Sequence, residues 1–393
     1  MMAKGSMNDG NLPSFEEVRE KVLAGERISE ADALALWYYP DLAAVGELAH
    51  QVRLRLNDPK VVTYVIDRNI NYTNACVARC KFCAFWKQPG SGQVYVHQYE
   101  PVIKEKIAEA SAQGATQILM QGGFHPDLPF SYYTELLRSI KRDFPHIIMH
   151  SFGPPEIKFF ATTYRMSERQ VLEELKEAGL DGLPGSYEIL VDRVQQAIAP
   201  GKCTPDEWCE IMTIAAELGL NTTATMMFGH IETVEERIEH LRRIRELQEI
   251  TLGEFGRGFT AFIAWPYQHE KNALTPLVRR GLIRLVTAQE YLRMVAVARI
   301  YLDNVRHLQS SWVTMGPRVG SASLFFGCDD MGGTMMEENV VSAAGTLFKM
   351  SAAEIERIIR EAGFEPRVRN TFYEYVSRPP FPKEQAQVYA VGS

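Results

Sequence analysis

The sequence lacks the features that mark membrane proteins, secreted proteins and nucleic-acid-binding proteins. None of its apolar runs reaches the roughly 20 residues needed to span a bilayer. Residues 1–13 are polar and glycine-rich, without the apolar core of a signal peptide. No run of basic residues occurs and the formal net charge is −7, which disfavours a nucleic-acid partner. We therefore expect a cytoplasmic protein with no membrane span and no nucleic-acid partner.

Cysteine is scarce, with six residues in 393, and a chain of this length builds its own core without disulfides. Three of the six nevertheless fall in one short stretch, as Cys76, Cys80 and Cys83. Random placement would produce this Cys-x3-Cys-x2-Cys spacing only about once in ten thousand. Thiolates are the usual ligands of iron–sulfur clusters. The stretch therefore predicts a metal site held by these three cysteines.

The number of ligands bears on the kind of metal site. A cubane cluster has four irons, whereas this stretch supplies three thiolates and no fourth cysteine lies near it. One iron would remain open, and an open metal position is where substrate or cofactor chemistry takes place. The alternative is zinc, which needs a fourth Cys or His ligand, and His97 is the nearest candidate.

Short β-branched segments alternate with amphipathic helical segments along most of the chain. The segment 61–66 predicts a buried strand, with the cysteine stretch as the loop at its carboxyl end. The alternation predicts an α/β fold, a TIM-type (β/α) barrel that is closed or nearly closed. The other predicted strands are 116–120, 146–150, 222–228, 259–265 and 308–314.

Helical patterns come before the first strand. A capping box beginning at Ser29 predicts one helix, and apolar spacing predicts a second over 43–56. We therefore expect three regions in the chain. These are an N-terminal helical extension at 1–58, a barrel core at 59–366 and a C-terminal tail at 367–393.

Active-site residues of such barrels lie on the loops that follow the strands. Gly122 and Gly123 follow a predicted strand, where missing side chains let the backbone approach a ligand. Pro154 and Pro155 follow the next one and predict a rigid, non-helical exit. Glu156 beside them is either a ligand contact or a charge at a helix N-terminus.

Two titratable residues follow the strand predicted at 222–228. We predict that His230 or Glu232 acts as a base or as a ligand clamp, because both stand at a carboxyl end of a strand. A radical or other reactive intermediate would also need apolar walls that exclude water. Candidates for such walls are Phe262, Trp265, Trp312, Met335 and Met336.

The stretch 71–86 resembles the signature of the radical S-adenosylmethionine (SAM) superfamily. The resemblance implies a [4Fe–4S] cluster on the three cysteines, with SAM chelating the open iron and being cleaved to a 5′-deoxyadenosyl radical. It also implies that Phe85 lies beside the adenine and that Gly122 and Gly123 contact the SAM amino group. The next position is often acidic in the family and is Phe124 here.

Within the superfamily the chain resembles the enzymes of the futalosine route to menaquinone and the deazaflavin-forming enzymes, and it is most similar to dehypoxanthine futalosine cyclases. The resemblance adds Ser151 and Glu188 as cofactor contacts. One departure is the loop that usually reads Pro-Gly-Gly-Gly-Ala-Glu-Ile, which is one residue shorter here and carries Ser186 and Tyr187. The segments that carry this resemblance are 71–85, 121–123, 151–157, 222–230, 259–265, 309–314 and 329–345.

The implied reaction is a radical cyclisation. The radical removes the ribose C4′ hydrogen of dehypoxanthine futalosine, and the resulting carbon radical closes onto the benzoate ring. The implied partners are this small-molecule substrate and a low-potential electron donor such as flavodoxin or ferredoxin. The alternatives are an aminodeoxyfutalosine synthase, a deazaflavin-forming enzyme, and a non-catalytic iron–sulfur or zinc-binding protein. Release of free 5′-deoxyadenosine separates the cyclase from the synthase, and metal analysis separates iron from zinc.

Overall fold

The computed structural model describes residues 12–377 and begins with three helices. The second of them starts at the predicted capping box, in which the Ser29 hydroxyl accepts a hydrogen bond from the Asp32 N–H at 3.2 Å. The helix predicted at 43–56 is also confirmed. The three helices are α1 (Phe15–Ala24), α2 (Glu30–Tyr38) and α3 (Leu42–Leu56).

A buried arginine joins α3 to the rest of the molecule. Arg53 has no exposed surface, and its guanidinium donates hydrogen bonds to the carbonyl oxygens of Val61 (2.8 Å) and Cys328 (3.1 Å). A charge inside a protein is costly unless polar partners satisfy it. The two carbonyls therefore fix the N-terminal helices against the start of the first strand.

Ten parallel strands occur in the described residues, and helices separate most of them. The strands are β1 (Val61–Val65), β2 (Asp67–Ile70), β3 (Gln117–Met120), β4 (Ile148–Ser151), β5 (Gly182–Leu183), β6 (Asn221–Phe228), β7 (Phe259–Pro266), β8 (His307–Gln309), β9 (Asp330–Gly333) and β10 (Glu365–Val368).

The sheet curls until its two ends meet. Its strand order is β10-β1-β9-β8-β7-β6-β5-β4-β3-β2, and only Ile66 separates β1 from β2 in the chain. β1 pairs with β9 and β2 pairs with β3, so one extended segment bridges both ends of the order. The predicted (β/α) barrel is thereby confirmed.

Thirteen further helices in the described residues surround the sheet or cover its carboxyl edge. They are α4 (Lys104–Ala112), α5 (Phe130–Asp143), α6 (Pro154–Tyr164), α7 (Glu168–Ala178), α8 (Asp192–Ile198), α9 (Pro205–Glu217), α10 (Val234–Phe255), α11 (Thr275–Arg279), α12 (Ala288–Tyr301), α13 (Trp312–Met315), α14 (Pro317–Ser323), α15 (Val340–Ala343) and α16 (Ala352–Glu361), and a π-helical turn (Tyr99–Ile103) precedes α4.

Three local predictions are wrong. The cysteine stretch follows β2 rather than the strand predicted at 61–66, because extended backbone continues through Ile70. Pro154 and Pro155 open helix α6 instead of preventing one, since proline is well suited to the first helical turn, where no N–H partner is needed. The strand predicted at 308–314 ends at Gln309, and α13 follows it.

The chain returns to the barrel after β10. Arg369 forms hydrogen bonds with both carboxylate oxygens of Asp330 on β9, at 2.5 and 3.0 Å. The Thr371 carbonyl accepts a hydrogen bond from Asn221 on β6 at 3.1 Å. Residues 369–373 therefore cross from one side of the barrel to the other. Among the described residues, no helix combines the length and apolar character that crossing a bilayer requires.

Candidate active site

The loop after β2 carries the three cysteines, and polar side chains at its start hold it in place. The Thr73 hydroxyl donates to the Tyr95 carbonyl at 2.6 Å. The Asn74 amide donates to the Gln93 carbonyl at 3.0 Å and accepts from the Tyr95 N–H at the same distance. The Cys76 N–H donates to the Lys87 carbonyl at 3.1 Å. These bonds close the segment 73–95 into one rigid loop.

The three cysteines of this loop are free thiols. Cys80 is buried, whereas Cys76 and Cys83 are half-buried. Burial raises the pKa of the Cys80 and Cys83 thiols, and backbone N–H groups of Phe85 and Trp86 act in the opposite direction on Cys83. N–H groups aimed at sulfur stabilise a thiolate, which is the form that binds iron.

The donor set fits an iron–sulfur cluster better than a lone ion. Within residues 12–377, no three His, Cys, Asp or Glu side chains are gathered as they would be around one metal ion. An iron–sulfur cluster brings its own sulfide and is larger, so its cysteines stand further apart. The three thiols lie on one loop, partly shielded from water, and are close enough to interact electrostatically.

Gly122 and Gly123 follow β3 and lie against the cysteine loop. A Cβ on Gly122 would come within 2.3 Å of the Tyr72 ring, and one on Gly123 would come within 2.1 Å of the Ala75 carbonyl oxygen. Their N–H groups donate to Glu156 (3.2 Å) and to the Thr73 carbonyl (3.0 Å). The glycines therefore make room for the cysteine loop. Because their N–H groups already have acceptors, only their carbonyl oxygens could bind an ammonium group.

Glu156 connects three loops at this point. Its carboxylate accepts from the Tyr72 hydroxyl at 2.7 Å, from the Gly122 N–H at 3.2 Å and from the Gly153 N–H at 3.0 Å. Burial raises the pKa of Glu156 to about 7, although these three hydrogen bonds act to lower it. Of the two roles predicted for Glu156, the capping charge at a helix N-terminus is the one observed, since Gly153 is the N-cap of α6.

Two buried polar atoms at predicted contact residues have no partner among the described residues. They are Oγ of Ser151, at the end of β4, and Oε2 of Glu188. The other carboxylate oxygen of Glu188 accepts from Lys202 Nζ at 2.6 Å, and that ammonium lies 5.6 Å from the ring of Phe82 in the cysteine loop. A buried polar atom without a partner is costly, so a bound ligand is expected to satisfy both.

Phe85 lies at the edge of the same loop. It is half-buried, and its ring meets that of Tyr95 edge-on with centroids 6.4 Å apart. Tyr95 in turn stacks on His97 at 4.4 Å, which places His97 in an aromatic contact.

A cavity of about 280 Å³ lies inside the barrel, next to these loops. Its walls are apolar and include the predicted Trp265, Trp312 and Met335. Phe262 is not among the lining residues and lies in the core, with its ring 6.1 Å from that of His240 on α10. Met336 packs against the core and does not line the cavity.

The floor of the cavity is polar and comes largely from the C-terminal segment. Arg369, Thr371 and Tyr373 all line it. The Thr371 hydroxyl donates to Gln117, and Gln309 donates to the Tyr373 hydroxyl at 3.0 Å. Tyr373 also lines a second cavity at the amino ends of the strands, so this segment separates the two.

His150 on β4 contributes the one imidazole that lines the cavity within residues 12–377. It is almost fully buried, and its Nδ1 has no hydrogen-bond partner among the described residues. Burial, with Arg369 as a second cause, lowers the pKa of His150 to about 3. The ring is therefore neutral at ordinary pH, and its Nε2 lies 3.5 Å from the Thr223 hydroxyl, which also lines the cavity.

Residues 70–244 match the family described as the Radical SAM superfamily, and residues 256–381 match the CofH/MqnC C-terminal region. The chain is 44% identical over 364 residues to a cyclic dehypoxanthine futalosine synthase of Halalkalibacterium halodurans, covering 92% of this chain and 95% of that protein. The chain belongs to the radical SAM superfamily.

Other relatives carry different names. Identity is 41% over 369 residues with a 5-amino-6-(D-ribitylamino)uracil--L-tyrosine 4-hydroxyphenyl transferase of Methanopyrus kandleri, covering 92% of this chain and 97% of that one. It is 38% over 367 residues with an aminodeoxyfutalosine synthase of Thermus thermophilus, covering 93% and 96%. Methylornithine synthase (PylB) has the same fold at 16% identity, with a TM-score of 0.66 over 89% of this chain and 97% of that one.

Membership of the radical SAM superfamily implies a [4Fe–4S] cluster and SAM as cofactors. The cysteine loop, the glycine pair, Ser151 and Glu188 lie on loops or strand ends around the carboxyl edge of the barrel. Cys80 and Glu188 both interact electrostatically with Lys202, so these parts of the site are close together.

His230 and Glu232 lie elsewhere. Neither lines the cavity, and both side chains are fully buried beside α10. The Glu232 carboxylate accepts from the N–H groups of Gly229 (2.6 Å) and His230 (2.8 Å) and pairs with Arg237 at 2.7 Å. Burial alone would raise the pKa of Glu232, but His230 and Arg237 lower it to about 2. In this radical SAM barrel, His230 and Glu232 therefore stabilise the turn after β6.

Sequence reasoning did not single out Lys202, His150 or Arg369. A lysine 119 residues after the last cysteine of the loop gives no local signal. His150 was visible as the polar residue that ends a predicted strand, a position where (β/α)-barrel enzymes place active-site residues. Arg369 lay in a segment predicted to be a tail.

Proposed function

We propose that this radical SAM enzyme is a cyclic dehypoxanthine futalosine synthase. The observation that carries the proposal is 44% identity to the Halalkalibacterium halodurans protein of that name, over 92% of this chain. The described cavity supports it, because apolar walls and a polar floor suit a molecule with an aromatic ring at one end and a sugar at the other.

The second candidate is the 4-hydroxyphenyl transferase activity, at 41% identity to the Methanopyrus kandleri protein. The shortened loop at Ser186 bears on the choice of substrate. Ser186 has φ +48, a conformation that favours glycine, and it lines the cavity. A side chain there changes the shape of the substrate site, so product identity has to be measured directly.

The cofactors would be held by the residues described above. Cys76, Cys80 and Cys83 would bind the cluster, and the carbonyls of Gly122 and Gly123 would accept from the SAM amino group. When bound, the cluster and SAM supply a carbon-centred radical that removes a hydrogen atom from the substrate. Three free thiols also suit the reducing cytoplasm, which we propose as the compartment.

The residues around the SAM site have separate tasks. Glu156 fixes the Gly122 N–H and the Gly153 N–H, so both loops keep one conformation. The Ser151 Oγ and Glu188 Oε2, which lack partners among the described residues, would accept or share hydrogen bonds with SAM hydroxyls. Phe85 offers a ring edge on the same loop as the cysteines.

The cavity would hold the substrate for the cyclisation. Loss of the C4′ hydrogen leaves a carbon radical, which adds to the benzoate ring. Aromaticity would be restored when the ring carbon gives its proton to a base and one electron to the oxidised form of the cluster that the three cysteines would hold. Apolar walls such as Trp265 and Trp312 keep water away from the radical. The polar floor around Arg369 and Tyr373 suits the hydroxyl groups of the sugar.

We assign the proton acceptor to His150 in place of His230 and Glu232. His150 lines the cavity, whereas the other two residues do not. A low pKa makes His150 a weak base. A weak base suffices here, because a ring carbon that has lost an electron and must regain aromaticity is a strong acid.

The test is an anaerobic assay of the reconstituted protein with dehypoxanthine futalosine, SAM and a low-potential reductant. The proposal expects the cyclic product, methionine and 5′-deoxyadenosine. Parallel assays contain an enol-ether benzoate, or tyrosine with 5-amino-6-(D-ribitylamino)uracil. An adenosyl adduct in the first, or a 4-hydroxyphenyl adduct in the second, with no cyclic product, would move the chain to one of the related activities.

A further inference from the structure

A basic surface surrounds the cysteine loop of this acidic protein. Two segments form it, the loop 76–92 and the segment 267–287 that follows β7. They are joined by a hydrogen bond of 2.8 Å from the Ala273 N–H to the Lys81 carbonyl. Seven lysines and arginines and one carboxylate give these segments a net charge of +6, whereas the whole chain carries −7. The cations are Arg79, Lys81, Lys87, Lys271, Arg279, Arg280 and Arg284.

None of these seven cations forms an ion pair with another of the described residues. Six are exposed and Lys87 is half-buried. Elsewhere in the described chain, several exposed arginines pair with nearby carboxylates, as Arg27, Arg193 and Arg357 do. Unpaired cations repel one another, so gathering them carries a cost that an acidic partner would offset.

Apolar side chains accompany the charges. Val77 between two of the cysteines is 41% exposed, and Leu282 between Arg280 and Arg284 is 63% exposed. Exposed apolar groups framed by charge are typical of a surface that binds another protein briefly. The same surface covers the cysteines, so a molecule bound there would be near the metal site.

We propose that this basic surface is the docking site of an acidic one-electron carrier protein, of the flavin or iron–sulfur class, that reduces the cluster. The proposal rests on the proposed function, which requires one electron for each SAM cleaved. The carrier is oxidised by one electron and the cluster is reduced by one. A nucleic acid or an anionic membrane is a less suitable partner. Its negative charge extends over a large area and would be repelled by the net charge of −7 on the whole protein.

The test compares two triple charge reversals in the reconstituted holoenzyme. One is Arg279→Glu, Arg280→Glu and Arg284→Glu, which leaves the cysteine loop unchanged. The control is Lys60→Glu, Arg138→Glu and Lys349→Glu, three exposed cations that are also unpaired among the described residues and lie outside both segments. Both variants alter the net charge equally. Iron content and circular dichroism establish that each variant is folded and loaded.

The readout is the rate of cluster reduction, followed by visible absorbance after rapid mixing. With reduced flavodoxin or ferredoxin at low salt, the first variant is expected to react at least about tenfold more slowly than wild type, and the control within about twofold. With photoreduced 5-deazariboflavin, a small uncharged reductant, all three should react alike. Equal rates for both variants with the carrier would overturn the proposal, as would tighter binding of RNA or anionic vesicles than of the carrier.

Two further measurements keep the proposal testable. If the first variant does not fold, the wild-type rate with the carrier should fall steeply as salt rises, whereas the rate with the uncharged reductant should stay constant. A flat salt dependence with the carrier would contradict the proposal. Absence of cyclic product with either reductant, together with carrier-dependent reduction, would overturn the proposed function and leave the docking site in place.

Discussion

At the scale of single residues, the site depends on polar atoms that the folded chain leaves without partners. Oγ of Ser151, Oε2 of Glu188 and Nδ1 of His150 are all buried and unpartnered among the described residues. A protein tolerates such atoms where a ligand completes their hydrogen bonds. Of these three residues His150 lines the cavity, whereas the titratable residues that sequence position suggested, His230 and Glu232, do not.

His150→Phe tests the proton acceptor. Phenylalanine keeps a ring of similar size but has no nitrogen, so SAM cleavage should continue while proton removal fails. We expect cyclic product to fall more than tenfold relative to 5′-deoxyadenosine, in the range typical of a lost general base. Chromatography with mass detection gives that ratio. In the control, His230→Gln, the ratio should stay at the wild-type value, and a His150→Phe enzyme with an unchanged ratio would remove His150 from the mechanism.

Glu156 predicts a pH dependence of stability. Its pKa of about 7 in the folded state lies above the ordinary value of 4.5, so the folded state holds the proton more tightly between these pH values. The free energy of unfolding should therefore fall by about 3 kcal/mol as pH rises from 4.5 to 7 because of this group. Glu156→Gln has no titrating group, and its stability relative to wild type should rise over that range. Urea unfolding of the metal-free protein at pH 5 and pH 8 measures the difference, and a constant difference would contradict the account.

At the scale of elements, the glycine pair shows how a loop and a strand end constrain each other. The sequence predicted that Gly122 and Gly123 contact a ligand. In the structure, the space that a Cβ would fill at these two positions is occupied by the Tyr72 ring and the Ala75 carbonyl. The cysteine loop lies directly on these glycines. Its position, and so the position of any metal it binds, depends on them.

Gly123→Ala should consequently reduce metal binding more than it reduces SAM binding. The new Cβ would lie 2.1 Å from a backbone oxygen and 2.9 Å from the Cβ of Cys76, so the loop has to move. We expect lower iron content after reconstitution and a loss of about 1–3 kcal/mol in stability. Gly92→Ala is the matched control in the same loop, since its Cβ would meet no atom within 4 Å. Full iron content in Gly123→Ala would show that the loop adapts.

The elements that sequence patterns predicted are those with strong periodicity or a cap. The strands at 222–228 and 259–265 and the helix after Ser29 are present because burial and capping act locally. The helix α6 was missed because two prolines were interpreted as breakers. The segment 369–373 was missed because its role depends on partners such as Asp330, far away in the chain.

At the scale of the whole molecule, the barrel brings parts of the chain together that sequence distance conceals. The cysteine loop follows β2, whereas the floor of the cavity comes from residues 369–373 after β10. The spacing of three cysteines could be predicted from the sequence because all three ligands are local. The cavity could not, because its lining is drawn from eight of the ten strands in the described residues and from the loops around them.

The central claim is that the barrel holds the C4′ hydrogen of dehypoxanthine futalosine where a radical derived from SAM removes it. The direct measurement uses substrate deuterated at C4′ with the reconstituted enzyme, SAM and a low-potential reductant. The account predicts that cyclic product forms and that one deuterium per turnover appears in 5′-deoxyadenosine, detected by mass spectrometry. Cyclic product accompanied by deuterium-free 5′-deoxyadenosine would contradict it, because the hydrogen would then come from another position.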